Sequence, residues 1–389
     1  MVTFESLRGR NGLAGEALTT RALNRALLAR QGLLAKLEMP LVEAVEAIGA
    51  LQAQSWPALP VALWSRVRDF QAVDLYRALE RRELVVGTLL RRTLHLVSAR
   101  EHPGYAQAVE ASGVNHWQRT SKEPLAQREA LRSELREYAA IPRGAEEIPA
   151  FLEAWMARHP GAIDEKEAAL QREHKWRPIR STSDFVRVPA DGTWGERVPA
   201  AFLASPAGSP VSPNEALDAA IRCHLRAFGP AGADDVADWI GWKTPPVRAA
   251  LERLAPGLAR FADEAGRALY DLPSAPRPAP EIPAPVRFLP EFDSVQLAYA
   301  AKRRQRILPD AHREKVYVRA NLRILPTFLV DGMMAGTWSA GERKREATLT
   351  LQPFERLSRP ALAAVTEEGE RLLRFCQPAA KAAHVAIAD

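Results

Sequence analysis

The chain has 389 residues, of which 47% are hydrophobic and 26% are charged, a balance that excludes a disordered or fibrous protein. No apolar run approaches the ~18 residues of a membrane-spanning helix, and the N-terminus has no signal-peptide core, so we expect a cytoplasmic protein without a membrane partner. The net charge of +6 is compatible with a polyanionic partner, although arginine excess can equally follow from genomic base composition. Two cysteines, Cys223 and Cys376, cannot build a disulfide framework or a metal cluster by themselves.

Helices followed by a β-hairpin are predicted within residues 1–100. The helix that follows Pro40 is expected to run on to Gln52. Two β-rich runs, 84–90 and 94–97, then form a hairpin through Arg91-Arg92-Thr93. Apolar residues at helical spacing place the helix starts near Thr19 and Thr20, after Pro40, at Pro60 and near Leu75. This order of elements is typical of a winged helix.

The same order recurs later in the chain. Residues 216–228 and 236–240 are predicted as helices, and Gly241 makes the turn to a further helix with Pro245 in its first turn. A wing that ends at Tyr270 follows. This is the clearest helix-turn-helix pattern in the sequence.

The region between these two modules is predicted to be mostly helical. The segment 179–188, with a turn at Asp191-Gly192, indicates a third and weaker wing. The helices are predicted over 125–138, 148–158 and 165–174.

The last hundred residues are predicted to be rich in β-strand. Residues 327–330 and 333–338 flank the turn Asp331-Gly332 and predict a hairpin. A further strand is expected over 348–351 and a terminal helix over 360–375.

Two Pro-rich stretches, 205–213 and 273–285, are the natural linkers between modules. We therefore expect an α+β fold of about three tandem winged-helix modules followed by a β-rich C-terminal region. The expected module boundaries are 1–100, 101–204, 213–272 and 286–389.

The segment Gln52-Ala53-Gln54 is the most informative for chemistry, because two carboxamides lie where an apolar helix ends. Residues two apart point away from each other on a helix but share one side of an extended chain. Both amides can converge on one ligand only if the helix has ended near Gln52, and Pro57 favours that ending. The alternative is that the amides cap backbone groups or face solvent.

Further motifs occur in order along the chain. The first is Arg91-Arg92-Thr93-Leu94-His95, and the second is Phe228-Gly229-Pro230-Ala231 with Asp235 and Trp239. Three more lie in the C-terminal region: Leu289-Pro290-Glu291-Phe292-Asp293, Tyr299 with Arg303, and Val330-Asp331-Gly332-Met333-Met334-Ala335-Gly336-Thr337-Trp338. Together with Gln52-Ala53-Gln54 they resemble the AlkZ-type winged-helix DNA glycosylases, bacterial enzymes that release bulky alkylated bases. One departure is that Arg92 stands where the family's Arg-Gly-Thr-x-His segment has glycine.

The resemblance implies a DNA glycosylase in which Gln52 and Gln54 are catalytic. Related proteins have Asp in the second position of the pair and others lack the pair, so Gln54 is the residue that places this chain with enzymes acting on DNA crosslinks. The candidates for DNA contact are Arg91, Arg92 and His95 on the first hairpin, and Arg303, Arg304, Asp331 and Gly332 in the C-terminal region. The alternatives are a hydrogen-bonded structural role for His95 and solvated faces for the arginines.

Two neutral amides suit a substrate that is already activated. Glutamine is not a useful general base, but its carbonyl accepts a hydrogen bond from water, so Gln52 and Gln54 would orient the nucleophile near the sugar. An N7-alkylated purine already carries positive charge and leaves without strong protonation. We therefore expect hydrolysis of N7-alkylpurine nucleosides, extending to the unhooking of interstrand crosslinks. No lysine lies near the pair in sequence, which favours a monofunctional enzyme.

We expect no cofactor. Glu291 with Asp293, or Asp234 with Asp235, could be offered as metal ligands, yet no His, Cys and carboxylate cluster has ligand spacing, and each is better explained as a loop or cap residue.

Two other functions compete with the glycosylase. A non-catalytic winged-helix transcriptional regulator would not need Gln54, and a metal-dependent nuclease would cut strands until a chelator is added. Three DNA-binding modules in one chain remove the usual need for a symmetric dimer. We expect a monomer whose partner is double-stranded DNA containing alkylated or crosslinked bases.

Overall fold

The computed structural model describes residues 17–112, 125–206, 208, 211–320, 322–343 and 345–388. Helices and strands are both abundant, so the protein has a mixed α+β fold. Within these ranges, no helix is long and apolar enough to cross a membrane. The start of the predicted module 1–100 and part of the predicted linker 205–213 lie outside the described residues.

The predicted longer helices are present, with ends that differ by a few residues from the prediction. In chain order, the described helices are α1 (Thr20–Arg30), α2 (Leu41–Ile48), α3 (Ala58–Arg66), α4 (Ala72–Glu80), α5 (His102–Ala111), α6 (Leu125–Tyr138), α7 (Glu147–Arg158), α8 (Glu165–Glu173), α9 (Arg177–Arg180), α10 (Pro213–Phe228), α11 (Ala233–Ile240), α12 (Thr244–Leu254), α13 (Ser294–Leu297), α14 (Arg313–Val316) and α15 (Arg359–Cys376).

The strands include the predicted hairpins and several strands that were not predicted. In chain order they are β1 (Ala17–Leu18), β2 (Leu51–Gln52), β3 (Leu84–Thr88), β4 (Leu94–Ser98), β5 (Phe185–Val188), β6 (Ala201–Ala204), β7 (Ala259–Asp263), β8 (Ala268–Asp271), β9 (Arg287–Leu289), β10 (Tyr317–Val318), β11 (Arg323–Ile324), β12 (Thr327–Val330), β13 (Met333–Arg343), β14 (Glu346–Pro353) and β15 (Ala382–Ile387).

Two predicted elements were wrong in extent. Helix α2 ends at Ile48 and does not reach Gln52, because Gly49 has a φ of 80° and turns the chain out of the helix. The weak wing does not begin at Ile179, because residues Arg177–Arg180 form a helical turn and the strand starts only at Phe185.

The contacts divide the chain into two compact units, which we describe separately. The first unit comprises Met1–Gln71, Ile221–Trp239 and Lys243–Asp389, and the second comprises Ala72–Ala220 and Ile240–Trp242. The number of winged helices and the four module boundaries stay predictions.

The first unit contains a five-stranded sheet in the order β15-β14-β13-β12-β9. All its neighbouring strands are antiparallel except β14 and β15, which are parallel. Helix α15 covers this sheet, and Phe288, Phe328, Leu349 and Leu372 are fully buried in the core between them. Strands β7 and β8 form the wing predicted after the helix-turn-helix pattern, which is confirmed.

The second unit contains strands hydrogen-bonded in the order β4-β3-β5-β6, each pair antiparallel. The predicted hairpin at 84–97 is confirmed as β3 and β4. A separate apolar core is formed by residues that include Leu135, Leu152, Trp155 and Phe202. Each unit therefore has its own core, as expected for independently packed regions of this size.

Candidate active site

Gln52 and Gln54 lie on one side of an extended segment in the first unit. Gln52 is the second residue of β2, and Gln54 lies in the bend that follows. Leu51 and Ala53 are only 2% and 4% exposed, whereas Gln52 is half-buried and Gln54 is exposed. Buried and accessible residues alternate here as they do in extended chain, and the helix has ended at Ile48 rather than near Gln52 as predicted.

The turn at Gly49 sets the direction of the glutamine segment. Its φ of 80° is the left-handed region that glycine adopts without strain. A Cβ at this position would lie 3.0 Å from the Cβ of Ala227, so there is also little room for a side chain. The Gln31 amide donates to the carbonyl of Ile48 at 2.8 Å and to that of Ala227 at 2.9 Å. Gln31 thus ties the end of α2 to the end of α10.

A buried ion pair supports Ala50, the residue that follows Gly49. Arg66 on α3 donates to Asp293 at 2.7 Å, and both side chains have no exposed surface. Asp293 also caps the short helix α13, whose first residue, Ser294, donates its hydroxyl proton to the carbonyl of Ala50 at 3.2 Å. The backbone just before the glutamine pair is therefore held by side chains from distant parts of the chain.

Sequence reasoning missed Gln31, Arg66 and Ser294. Arg66 did leave a signal, since it is a charged residue near the end of the mostly apolar stretch 58–67, where an unpaired charge could not be buried. Nothing in the sequence marks Gln31 or Ser294, because their partners are backbone carbonyls.

The acidic residues considered as metal ligands have other partners. Asp293 pairs with Arg66, and Glu291 pairs with Arg323 at 3.0 Å. Asp234 and Asp235 each accept from Arg267 at 2.8 Å. In the described part of the chain, no three His, Cys, Asp or Glu side chains are grouped in a way that could hold a metal ion.

In the second unit, Arg91 and Arg92 form a tight turn between β3 and β4. Their φ values are 52° and 60°, in the left-handed region that non-glycine residues adopt at a cost of about 1–2 kcal/mol. Glycine would adopt the φ of Arg92 without this cost. Both side chains are half-buried.

His95 is buried on β4, directly after this turn. Its side chain is 1% exposed, and Nδ1 lies 2.9 Å from the carbonyl oxygen of Thr93. Because a carbonyl can only accept, Nδ1 carries the proton. Burial and the nearby charge of Arg91 lower the pKa of His95 to about 3, so the ring is neutral at physiological pH. The hydrogen-bonded structural role is thus present, and DNA contact by His95 stays a prediction.

Arg303 and Arg304 belong to a single 3₁₀ helix, Ala301–Arg306, in the first unit. Arg303 lies 3.4 Å from Asp234 and its side chain is 30% exposed. Arg304 donates to the carbonyl of Tyr299, stacks over the ring of Tyr317, and is only 12% exposed. Arg303 can therefore reach solvent, whereas Arg304 is mainly engaged in packing.

Asp331 and Gly332 form the turn between β12 and β13, and this turn packs against α1. Arg21 and Arg25 both pair with the Asp331 carboxylate. Asn24 donates to the carbonyl of Gly332 at 2.8 Å, and a Cβ on Gly332 would lie 2.6 Å from the Asn24 Oδ1. The glycine is required here both by a φ of 81° and by this close approach.

Comparison with known proteins agrees with these motifs. The structure is similar to that of Streptomyces sahachiroi DNA glycosylase AlkZ, with a TM-score of 0.77 and 20% sequence identity over 96% of this chain and 100% of that one. No curated protein sequence matches the chain. The family model for AlkZ-like DNA glycosylases matches residues 45–375, a span that includes the glutamine segment, the Arg91-Arg92 turn and the C-terminal hairpin. The chain therefore belongs to the AlkZ-like family, and the protein is a DNA glycosylase of DNA repair.

Proposed function

We propose that this glycosylase hydrolyses the N-glycosidic bond of N7-alkylated purines in duplex DNA, with Gln52 and Gln54 as its catalytic pair. One observation carries the proposal: the two amides share the accessible side of an extended segment, with Leu51 and Ala53 buried behind them. The segment lies inside the span matched by the family model. The family assignment favours this function over a non-catalytic regulator.

The proposed reaction does not require a strong general acid or general base from the protein. The bond between C1′ of the sugar and N9 of the purine breaks, and its electron pair leaves with the base, where it neutralises the positive charge that N7 alkylation placed on the purine ring. A water molecule then bonds to C1′ and loses a proton to solvent. Gln52 and Gln54 would accept hydrogen bonds from that water through their carbonyl oxygens and place partial negative charge near the cationic sugar.

The exposure of Gln54 supports a bulky lesion as substrate. Enzymes that flip a base into a closed pocket exclude large adducts, whereas an accessible catalytic group can reach a lesion that stays in the duplex. We therefore extend the proposal to interstrand crosslinks, in which hydrolysis of one glycosidic bond would release one of the two strands.

The proposed DNA contacts differ in their support. Arg91, Arg92 and Arg303 are partly exposed cations that can reach a phosphate. Arg304 and His95 would act mainly by shaping the backbone around such contacts, because both have most of their surface covered. Asp331 and Gly332 would contact DNA only beside Arg21, since the turn is paired to α1.

We further propose that one copy of the chain binds duplex DNA in the cytoplasm through tandem winged-helix modules at 1–100, 101–204 and 213–272, with the β-rich region 286–389. The wing formed by β7 and β8 after helices α11 and α12 supports the third of these modules.

The test is release of the modified base from a duplex with one defined N7-alkylguanine, with spontaneous depurination subtracted. Wild type is compared with Gln52→Ala and Gln54→Ala, and the exposed Gln71→Ala serves as the matched control. We expect both catalytic-pair variants to lose at least about 100-fold in rate, the effect of removing one preorganised group, while duplex affinity is unchanged. A mustard-crosslinked duplex tests the extension.

Equal rates in wild type and both variants would overturn the assignment of the pair. Release from other bases but not from N7-alkylguanine would overturn the substrate. Strand scission that stops with a chelator would indicate the metal-dependent nuclease instead.

A further inference from the structure

A cavity of about 580 Å³ opens in the first unit beside the helix-turn-helix. Its walls come from α12, from the wing strand β8, and from the 3₁₀ helix Ala301–Arg306. The cavity is within the size range of sites that bind small ligands or ligand groups, and six of the described residues that line it are charged. None of the sequence motifs includes its two most exposed cations.

The two carboxylates in the cavity wall are already partnered. Asp234 pairs with Arg267 at 2.8 Å and with Arg303 at 3.4 Å. Glu252 accepts from the hydroxyl of Tyr270 and lies 3.6 Å from Arg260. Their negative charge is therefore compensated locally, and it does little to repel an anion.

Arg248 and Lys302 are the cations without such compensation. Both line the cavity and both are exposed, Arg248 on α12 and Lys302 on the 3₁₀ helix. Among the described residues, neither lies within ion-pair distance of a carboxylate, unlike Arg267 and Arg303 beside them. The cavity thus offers two positive charges on separate elements, and neither is paired with a carboxylate of the described residues.

We propose that this cavity binds a backbone phosphate of DNA, held between Arg248 and Lys302. A guanidinium presents a planar fork that matches phosphate oxygens, and an ammonium adds a mobile point charge, so the pair suits a phosphodiester. The phosphate is that of the enzyme's own DNA substrate, because a helix-turn-helix places its second helix against the duplex. The proposal depends on DNA binding by the family and is independent of the lesion and of the glutamine pair.

The test measures the affinity of the full chain for an undamaged duplex as a function of salt concentration. The double variant Arg248→Gln/Lys302→Gln is compared with wild type and with Arg319→Gln/Lys381→Gln, which removes the same charge from two exposed residues elsewhere in the first unit. Each phosphate that a protein neutralises contributes about 0.9 to the slope of log affinity against log salt. We expect the cavity variant to lower that slope by about 0.9 and the control to leave it unchanged.

Two further measurements keep the result interpretable. Lys302→Arg retains the charge and is expected to keep the wild-type slope. Thermal melting should match wild type in every variant, because all four positions are exposed. A cavity variant that folds normally and has the same slope as the charge-matched control would overturn the proposal, whatever the outcome of the base-release assay.

Discussion

The glutamine segment Gln52-Ala53-Gln54 and the turn segment 91–95 differ in the origin of the hydrogen bonds that hold them. The backbone before the glutamines is held by Gln31 and Ser294, which lie 17 and 244 positions from the carbonyls they bind. The turn at Arg91-Arg92 is closed by bonds among residues 89–95, none joining residues more than four positions apart. Distant side chains hold the backbone before the glutamines, whereas local backbone bonds close the turn.

This difference predicts where each segment is vulnerable. A segment held by distant groups fails when a buried support is lost, even if its own sequence is intact. In a segment closed by local bonds, the free-energy cost lies within the segment itself, as backbone strain and as the burial of a histidine. The effects of substitutions on stability should therefore differ between the two regions, both in magnitude and in their dependence on pH.

The largest effect is expected from breaking the buried pair Arg66 and Asp293. Asp293→Ala leaves the guanidinium buried without its partner, which typically costs about 3–5 kcal/mol of unfolding free energy. Urea unfolding of the purified variant measures this loss.

The matched control is Arg323→Ala, which breaks the exposed pair with Glu291 two residues before Asp293. Exposed pairs contribute at most about 1 kcal/mol. If both substitutions cost the same, the buried pair does not support the glutamine segment in the way proposed.

The second-largest effect is expected in the pH dependence of the unfolding free energy, to which His95 contributes. Burial and Arg91 lower the pKa of His95 to about 3 in the folded protein, whereas an unfolded histidine titrates near 6.5. Between these values the unfolded state binds more protons, so stability falls as the pH is lowered through this window. Wild type should lose about 2–3 kcal/mol more than His95→Gln between pH 6 and pH 4, at about 1.4 kcal/mol per pH unit.

The measurement is urea unfolding at several pH values, and the comparison is between slopes, because the substitution also changes packing. Exposed His174→Gln is the control and should keep the wild-type slope. Parallel slopes for wild type and His95→Gln would contradict a neutral, buried imidazole at this turn.

A smaller effect on stability is expected from Ser294→Ala, which removes the hydrogen bond to the carbonyl of Ala50. The loss should be about 1 kcal/mol, the usual net contribution of one hydrogen bond. Because Ser294 is a positioning residue, kcat for base release should fall while KM is nearly unchanged.

Ser294→Thr keeps the hydroxyl and should restore kcat, which a merely structural role would not require. An Ala variant with wild-type kcat would mean that the glutamines do not depend on the Ala50 carbonyl.

The smallest effect is a gain in stability from Arg92→Gly. Glycine adopts the φ of 60° without the side-chain clash, although it costs entropy on folding, so the net gain should be about 1 kcal/mol or less. Thermal unfolding detects it. Arg81→Gly, at an exposed turn residue without positive φ, should not stabilise the protein, and a decrease for Arg92→Gly would show that its side-chain contacts outweigh the strain.

The parts of the fold that were predicted correctly are those with a local signature. Helix α6 was predicted with its observed bounds, and the hairpins at 84–98 and 327–338 were found from β-rich runs around short turns. Strands β9 and β15 were not predicted, since each is defined by pairing with a strand far away in the chain. The same limit applies to the early end of α2, where the apolar pattern continues past Gly49 while the backbone does not.

The sequence by itself determined the identity of the glutamine pair, the order of the motifs and most helices and turns, because side-chain chemistry, periodicity and turn propensity are properties of neighbouring residues. Only the tertiary structure decided that the two amides share an accessible side, that Gln31 and Ser294 hold the backbone before them, and that Arg248 and Lys302 line one cavity. These relations join residues far apart in the chain, and they depend on how buried groups find partners, which no local pattern records.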